Sequence, residues 1–282
     1  MITPRQMPTV ESVGRHYDDL DVYYRDIWGE HVHHGLWQTG RESPEAACEQ
    51  LIRVVADAAG VKPGMSVCDV GCGYGGTSRY LAKEYEAQVT GVTVSEAQFK
   101  FASEKTNGAG NPKFLLQNWL TNPFPDASFD AVVSIECLAH VPDKPKYFQE
   151  IARVLKPGHK AAIYAWLADP TPKNWELRHL LEPICSEGRL PSMGTADEYK
   201  QMIADAGLTL VDYDELSRRV RKTWWICARR IAGRLCTTTS YWKALFDSTN
   251  GNRVFALTLM RILAAYHTGA MQYGLFVMQR EE

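Results

Sequence analysis

The sequence predicts an α/β protein built on a doubly wound, mostly parallel sheet. Three observations carry that expectation. Short apolar runs alternate with helix-forming stretches from residue 65 to residue 167. A glycine-rich turn, Asp69-Val70-Gly71-Cys72-Gly73-Tyr74-Gly75-Gly76, joins the first such run to a helix. The composition, 45% hydrophobic and 23% charged over 282 residues, suits one large globular unit or one unit with a cap.

Taken in order, residues 1–10 carry no periodic pattern, and Val13, Tyr17, Leu20, Tyr24 and Ile27 then recur at helical spacing. A turn-rich patch, Gly29 to Trp37, separates this helix from another over about 44–59. Strands are expected near 65–70, 88–94, 113–117, 129–135 and 160–167, with helices near 76–86, 95–106 and 144–155. Lys156-Pro157-Gly158 reads as a helix stop. Residues 170–195 are rich in proline and turns, a helix and strand are expected over about 195–216, and 217–249 reads as helices inserted before a last strand, 272–278. The expected divisions are an N-terminal lid (1–43), a cofactor-binding core (44–168), a helical cap insertion (169–249) and a C-terminal helix with the last core strand (250–282).

The composition also excludes. A net charge of −2 supplies no general attraction to nucleic acid. Seven cysteines with no Cys-x-x-Cys pair argue against a disulfide framework and point to a reducing, cytoplasmic setting. The most apolar stretch, Val254 to Met278, is interrupted by Arg261 and His267, so an amphipathic helix followed by a strand is expected rather than a membrane span.

The glycine turn fits three kinds of ligand cradle. A phosphate loop requires lysine after its last glycine, and Thr77 stands there. A dinucleotide fingerprint, Gly71, Gly73 and Gly76, calls for an acid after the second strand, and Gln88 to Val94 ends without one. The third reading places an acid two residues before the first glycine, as Asp69-x-Gly71-x-Gly73 does. A carboxylate there suits a ligand bearing an ammonium group. This third pattern resembles the first motif of class I S-adenosylmethionine-dependent methyltransferases. Gly91-Val92-Thr93-Val94-Ser95-x-x-Gln98, Pro123-Phe124-Pro125-Asp126-x-x-Phe129-Asp130 and Glu136-x-x-x-His140-Val141-Pro142-Asp143-Lys144 narrow the resemblance to the γ-tocopherol methyltransferase-like group, which includes natural-product methyltransferases. His33-His34-Gly35-Leu36-Trp37, Leu190-Pro191-Ser192 and Tyr273-Gly274-Leu275-Phe276 extend it over nearly the whole chain.

The resemblance implies a Rossmann-like, seven-stranded sheet under a helical cap, with S-adenosylmethionine as cofactor and S-adenosylhomocysteine as product. It implies cofactor contacts from Asp69, Gly71, Cys72, Gly73, Thr93, Ser95, Gln98, Gln117, Asn118, Trp119 and Glu136. Asn118 stands where the group often has an aspartate for the adenine amine, and Trp119 is placed to stack on that base. His140, at a strand's carboxyl end, is the candidate general base for a hydroxyl or phenol acceptor, with Glu136 as the other basic candidate. Tyr23, Trp28, His33, His34, Trp37, Trp166, Trp224 and His140 are the expected acceptor-side residues. His31, His33 and His34 lack an acid cluster, so no metal is expected. In Arg218–Arg234, Val220, Trp224, Cys227, Ile231 and Leu235 share one helical face, with Arg218, Lys222 and Arg229 opposite, which predicts a docked helix. Trp225 falls among the basic residues, a place suited to weak peripheral membrane contact.

The expected protein is therefore a cytoplasmic methyltransferase, monomer or homo-oligomer, acting on a small, partly apolar aromatic or prenyl-like acceptor in natural-product biosynthesis. The competing readings are a cyclopropane synthase-like enzyme acting on lipid alkenes and a non-catalytic S-adenosylmethionine-binding regulator.

Overall fold

In the computed structural model, which describes residues 1–4, 6–108, 110–238 and 253–282, seven strands form one sheet in the order β3-β2-β1-β4-β5-β7-β6. They are β1 (Ser66–Val70), β2 (Gln88–Thr93), β3 (Lys113–Leu116), β4 (Phe129–Ile135), β5 (Leu155–Ala168), β6 (Leu208–Glu215) and β7 (Met271–Arg280). Only β7 is reversed, running antiparallel to both β5 and β6. The strand order turns back at β1 and β4, which pair in parallel, so their carboxyl ends flank a crevice of the kind where such sheets bind ligands.

Helices cover both faces. On one, α3 (Pro44–Ala58) buries Leu51, Ile52 and Val55 with Val67 and Tyr164; on the other, α6 (Lys144–Val154) buries Tyr147, Phe148 and Ile151 with Cys68, Val132 and Ile163. The caps are legible: Ser43 accepts from the Ala46 N–H with proline next in the chain, and Asp143 accepts from the Lys146 N–H. Between them α4 (Gly76–Glu84) and α5 (Glu96–Thr106) complete the alternation, and α9 (Ala196–Asp205) leads into β6.

Several expectations are corrected. The N-terminal periodicity is two helices, α1 (Val10–Asp19) and α2 (Asp21–Ile27), broken at Leu20. The extreme N-terminus is not loose, because Ile2 and Met193 exchange backbone hydrogen bonds of 2.8 Å. The proline-rich stretch is largely helical: α7 (Asn174–Glu176) runs through a π turn (Leu177–Leu181) into α8 (Glu182–Glu187). A widened turn just before Pro183 relieves the clash a proline ring makes with the preceding turn, so the helix continues through a residue that would otherwise stop it. α6 ends at Val154 and passes directly into β5, placing Pro157 and Gly158 at an irregular strand pairing rather than in a linker. In the cap, α10 (Ser217–Val220) and α11 (Lys222–Thr237) occupy the expected helical region, whose remainder, 239–249, lies outside the described residues. A last helix, Arg253–Thr268, precedes β7. Among the described residues no helix is long and apolar enough to cross a membrane.

Candidate active site

The glycine turn is held by the sheet beneath it. The N–H groups of Gly71 and Cys72 both donate to the Val92 carbonyl of β2, at 2.9 Å. Gly71 has φ +77°, and a Cβ there would lie 2.4 Å from the Cys137 Cβ, so the position admits only glycine. Gly73, at φ +54°, faces open space, with nothing within 4 Å of a Cβ position. A ligand can therefore approach the backbone closely at Gly73, while at Gly71 packing against Cys137 also requires glycine.

Gly71 and Gly73 line a cavity of about 550 Å³ together with Val92, Thr93, Gln98, Gln117, Trp119 and Ile135. Thr93 and Gln98 bond each other at 2.9 Å, and the Gln117 N–H donates to the Thr93 carbonyl. Four expected cofactor contacts stand outside this lining. Asp69 lies behind the turn, where its carboxylate accepts from the Ser78 hydroxyl at 2.6 Å; burial pushes its pKa up to about 6. Cys72 is buried, Ser95 caps α5 and donates to Asp18, and the Asn118 side chain caps the turn at Leu120. Trp119 does face the cavity, anchored by its indole N–H to the Tyr147 carbonyl at 3.2 Å.

Glu136 follows β4 in a left-handed conformation, φ +65°, which aims it across the sheet edge. Its carboxylate accepts from the His34 N–H and Nδ1, both at 2.8 Å, and from the Trp166 indole N–H and the Tyr273 hydroxyl, both at 2.9 Å. On its far side the His34 Nε2 receives the Trp224 indole N–H at 2.6 Å. An indole N–H only donates, so Nε2 is its acceptor, while Nδ1 faces the Glu136 carboxylate. Glu136 is thus a buried carboxylate that accepts four hydrogen bonds. Burial raises its pKa, but the donors, His34 foremost, outweigh it and hold the carboxyl below its ordinary value. The arrangement argues against Glu136 as a general base, since its proton affinity is spent on structure.

The opposite wall comes from the cap and the N-terminal helices. Val13, Leu20, Trp28, Ile184, Trp224, Leu259 and Ile262 make it largely apolar, and His33 and His34 border it. His140 stands in the wall with Nε2 2.9 Å from the Tyr17 hydroxyl. Burial lowers the His140 pKa to about 4 and holds that of Tyr17 well above its usual value, so near neutrality the pair is a neutral imidazole and a neutral phenol. Tyr17 and Tyr24 line the cavity where Tyr23 was expected; Tyr23 is outside it. Trp37 is outside it as well. It faces a second cavity of about 300 Å³, donates to the Thr223 hydroxyl at 3.3 Å and lies under the Lys222 ammonium at 4.2 Å. Tyr17 escaped the sequence reading because its helical spacing marked it as packing; its hydroxyl aims at a residue 123 positions away.

Three acids pin the N-terminal segment over the cofactor side. Asp18 accepts from the Ser95 hydroxyl and the Ala97 N–H, Asp21 from the Tyr74 hydroxyl at 2.8 Å, and Glu30 pairs with Arg79 and Lys105.

Known proteins resemble this chain in sequence and in fold. Residues 5–254 match the family model described as mycolic acid cyclopropane synthetase. The sequence is 29% identical over 294 residues to the chloroplastic tocopherol O-methyltransferase of Arabidopsis thaliana, covering 96% of this chain and 82% of that protein. It is 30% identical over 230 residues to the 27-O-demethylrifamycin SV methyltransferase of Amycolatopsis mediterranei, covering 80% and 84%. The fold superposes on that of a mycolic acid cyclopropane synthase complexed with S-adenosylhomocysteine, with a TM-score of 0.85 at 18% identity, over 98% of this chain and 99% of that one.

Proposed function

From the premise that the chain belongs to the mycolic acid cyclopropane synthetase family and is an S-adenosylmethionine-dependent methyltransferase, we propose that it methylates a small, partly apolar acceptor, aromatic or prenyl-like, in natural-product biosynthesis. The observation that carries this reading is one cavity with two unlike ends: an open backbone at Gly73 on one side and a wall of Trp28, Trp166, Trp224, Leu259 and Ile262 on the other. When bound, S-adenosylmethionine would supply an electrophilic sulfonium methyl for the acceptor's nucleophilic atom.

The protein's contribution is alignment, charge and exclusion of water. Gly71, Gly73, Thr93, Gln98, Gln117 and Trp119 hold the cofactor; Asp69, Cys72, Ser95 and Asn118 keep that cradle in shape. The Glu136 carboxylate places a fixed negative charge in the wall of a cavity that must accept a cation. For a hydroxyl or phenol acceptor, the Tyr17–His140 pair receives the proton that the oxygen loses, with His140 neutral and ready at ordinary pH. A carbon acceptor gains positive charge instead, and the Glu136 charge together with the indole faces favours a lipid alkene as the second reading.

A panel of phenols, prenylated quinols, unsaturated lipids and small amines separates the readings. S-adenosylhomocysteine release with a mass gain of one methyl on an apolar phenol or quinol supports the first. A methylene added to a lipid alkene supports the second. Turnover confined to small polar amines overturns both.

A further inference from the structure

We propose that the outer faces of α11 and the last helix dock on an anionic lipid bilayer, so that an apolar acceptor enters the cavity from the membrane. The entry route rests on the apolar acceptor proposed above; the docking does not.

Both helices have two working faces. Inward, α11 presents Thr223 and Trp224, and the last helix presents Leu259 and Ile262, to the large cavity. Outward, Trp225 is 62% exposed, with Leu257 at 57% and Met260 at 58%, one turn apart on the neighbouring helix. Exposed indole and aliphatic side chains on the roof of a binding site are unfavourable in water and need an occupant.

The charges say which. α11 and the turn before it are rich in basic side chains, and several have partners: Arg219 pairs with Asp214, Arg234 with Asp26, Arg230 donates to the Ile27 carbonyl, and Lys222 donates to the Gly40 carbonyl and covers Trp37. Lys222, expected on the outer face, is therefore tied down. Arg218, Arg221 and Arg229 are exposed and show no ion pair among the described residues. Arg221 and Arg229 sit four residues either side of Trp225, at the start and along one face of α11, and Arg218 lies just before, on α10. An indole between guanidinium groups is a composition that settles at the interface of an anionic bilayer. A second copy of the chain packed two-fold on this face would set three positive charges against three.

Co-sedimentation of the intact protein with phosphatidylcholine vesicles, with and without phosphatidylglycerol, tests the proposal. The parent is expected to pellet with the anionic vesicles at low salt and to be released at high salt. Each cation removed should weaken binding about fivefold, so R218Q/R221Q/R229Q should fall by about a hundredfold, and Trp225→Ala by several-fold. S-adenosylmethionine affinity, measured by calorimetry, should be unchanged in these variants, which shows that they fold and separates this outcome from any failure of the acceptor assignment. A parent that ignores anionic vesicles, or a triple variant that binds as well as the parent, overturns the proposal. So does a dimer that Trp225→Ala dissolves in the absence of vesicle binding.

Discussion

The two halves of the cavity are built by different means. The cofactor half comes from one stretch of chain, Gly71 to Trp119, and its shape is set by backbone: two N–H groups on one carbonyl, a positive φ, and the parallel register of β1 and β2. The acceptor half is assembled from side chains of the N-terminal helices, the 33–34 turn, β5, α8, α11 and the last helix, which meet nowhere in sequence. Glu136 joins the halves, receiving donors from the N-terminal turn, β5 and β7 and, through His34, holding the cap at Trp224. Backbone geometry tolerates few sequences. A wall of side chains tolerates many, which is how one cradle serves different acceptors.

That contrast can be broken from the cofactor side first. Gly73→Val should abolish S-adenosylmethionine binding in calorimetry, while the fold survives at a cost of about 1–3 kcal/mol for a branched residue at positive φ. Undiminished binding would remove the cofactor from this turn.

The next effect tests whether Glu136 fastens the cap. Glu136→Ala leaves its four donors without their acceptor and should cost about 3 kcal/mol or more in denaturant unfolding. Because the folded pKa lies below the ordinary 4.5, this contribution is fully present above that pH and is lost as pH falls below it. The stability gap between parent and variant should accordingly narrow in acid. A gap that is constant down to pH 3 would show that the charge is irrelevant.

On the acceptor side, His140→Ala should lower kcat by about two to four decades with a hydroxyl acceptor and leave cofactor affinity intact. The parent's acidic limb should fall near pH 4, where the imidazole gains its proton, rather than near 6.5. A limb at 6.5 would assign the proton transfer to another group. Smallest is Tyr17→Phe, which deletes one hydrogen bond and should slow turnover about tenfold or less. A loss as large as that of His140→Ala would make Tyr17 the principal group.

The comparison also explains what could be read early. Asp69-x-Gly71-x-Gly73 was readable as a cradle because a tight turn between strand and helix depends on a few adjacent residues. Spacing does not reveal that Ser78, in the first turn of α4, bonds the Asp69 carboxylate. Nor does it reveal that the Asn118 and Ser95 side chains each cap a helical turn. The roles of Tyr17 and of the His34–Trp224 bond were invisible, because each depends on a partner more than a hundred positions away. The helix over 174–187 was hidden by prolines whose cost a π turn removes.

By itself, then, the sequence determined the alternating α/β order, the place of the cradle and the docked face of α11, because hydrophobic period and turn chemistry are local properties of the chain. Tertiary structure alone decided which tyrosine meets His140, where Trp37 points and why Glu136 stays charged, because each depends on what the rest of the chain brings within about 3 Å of a polar atom.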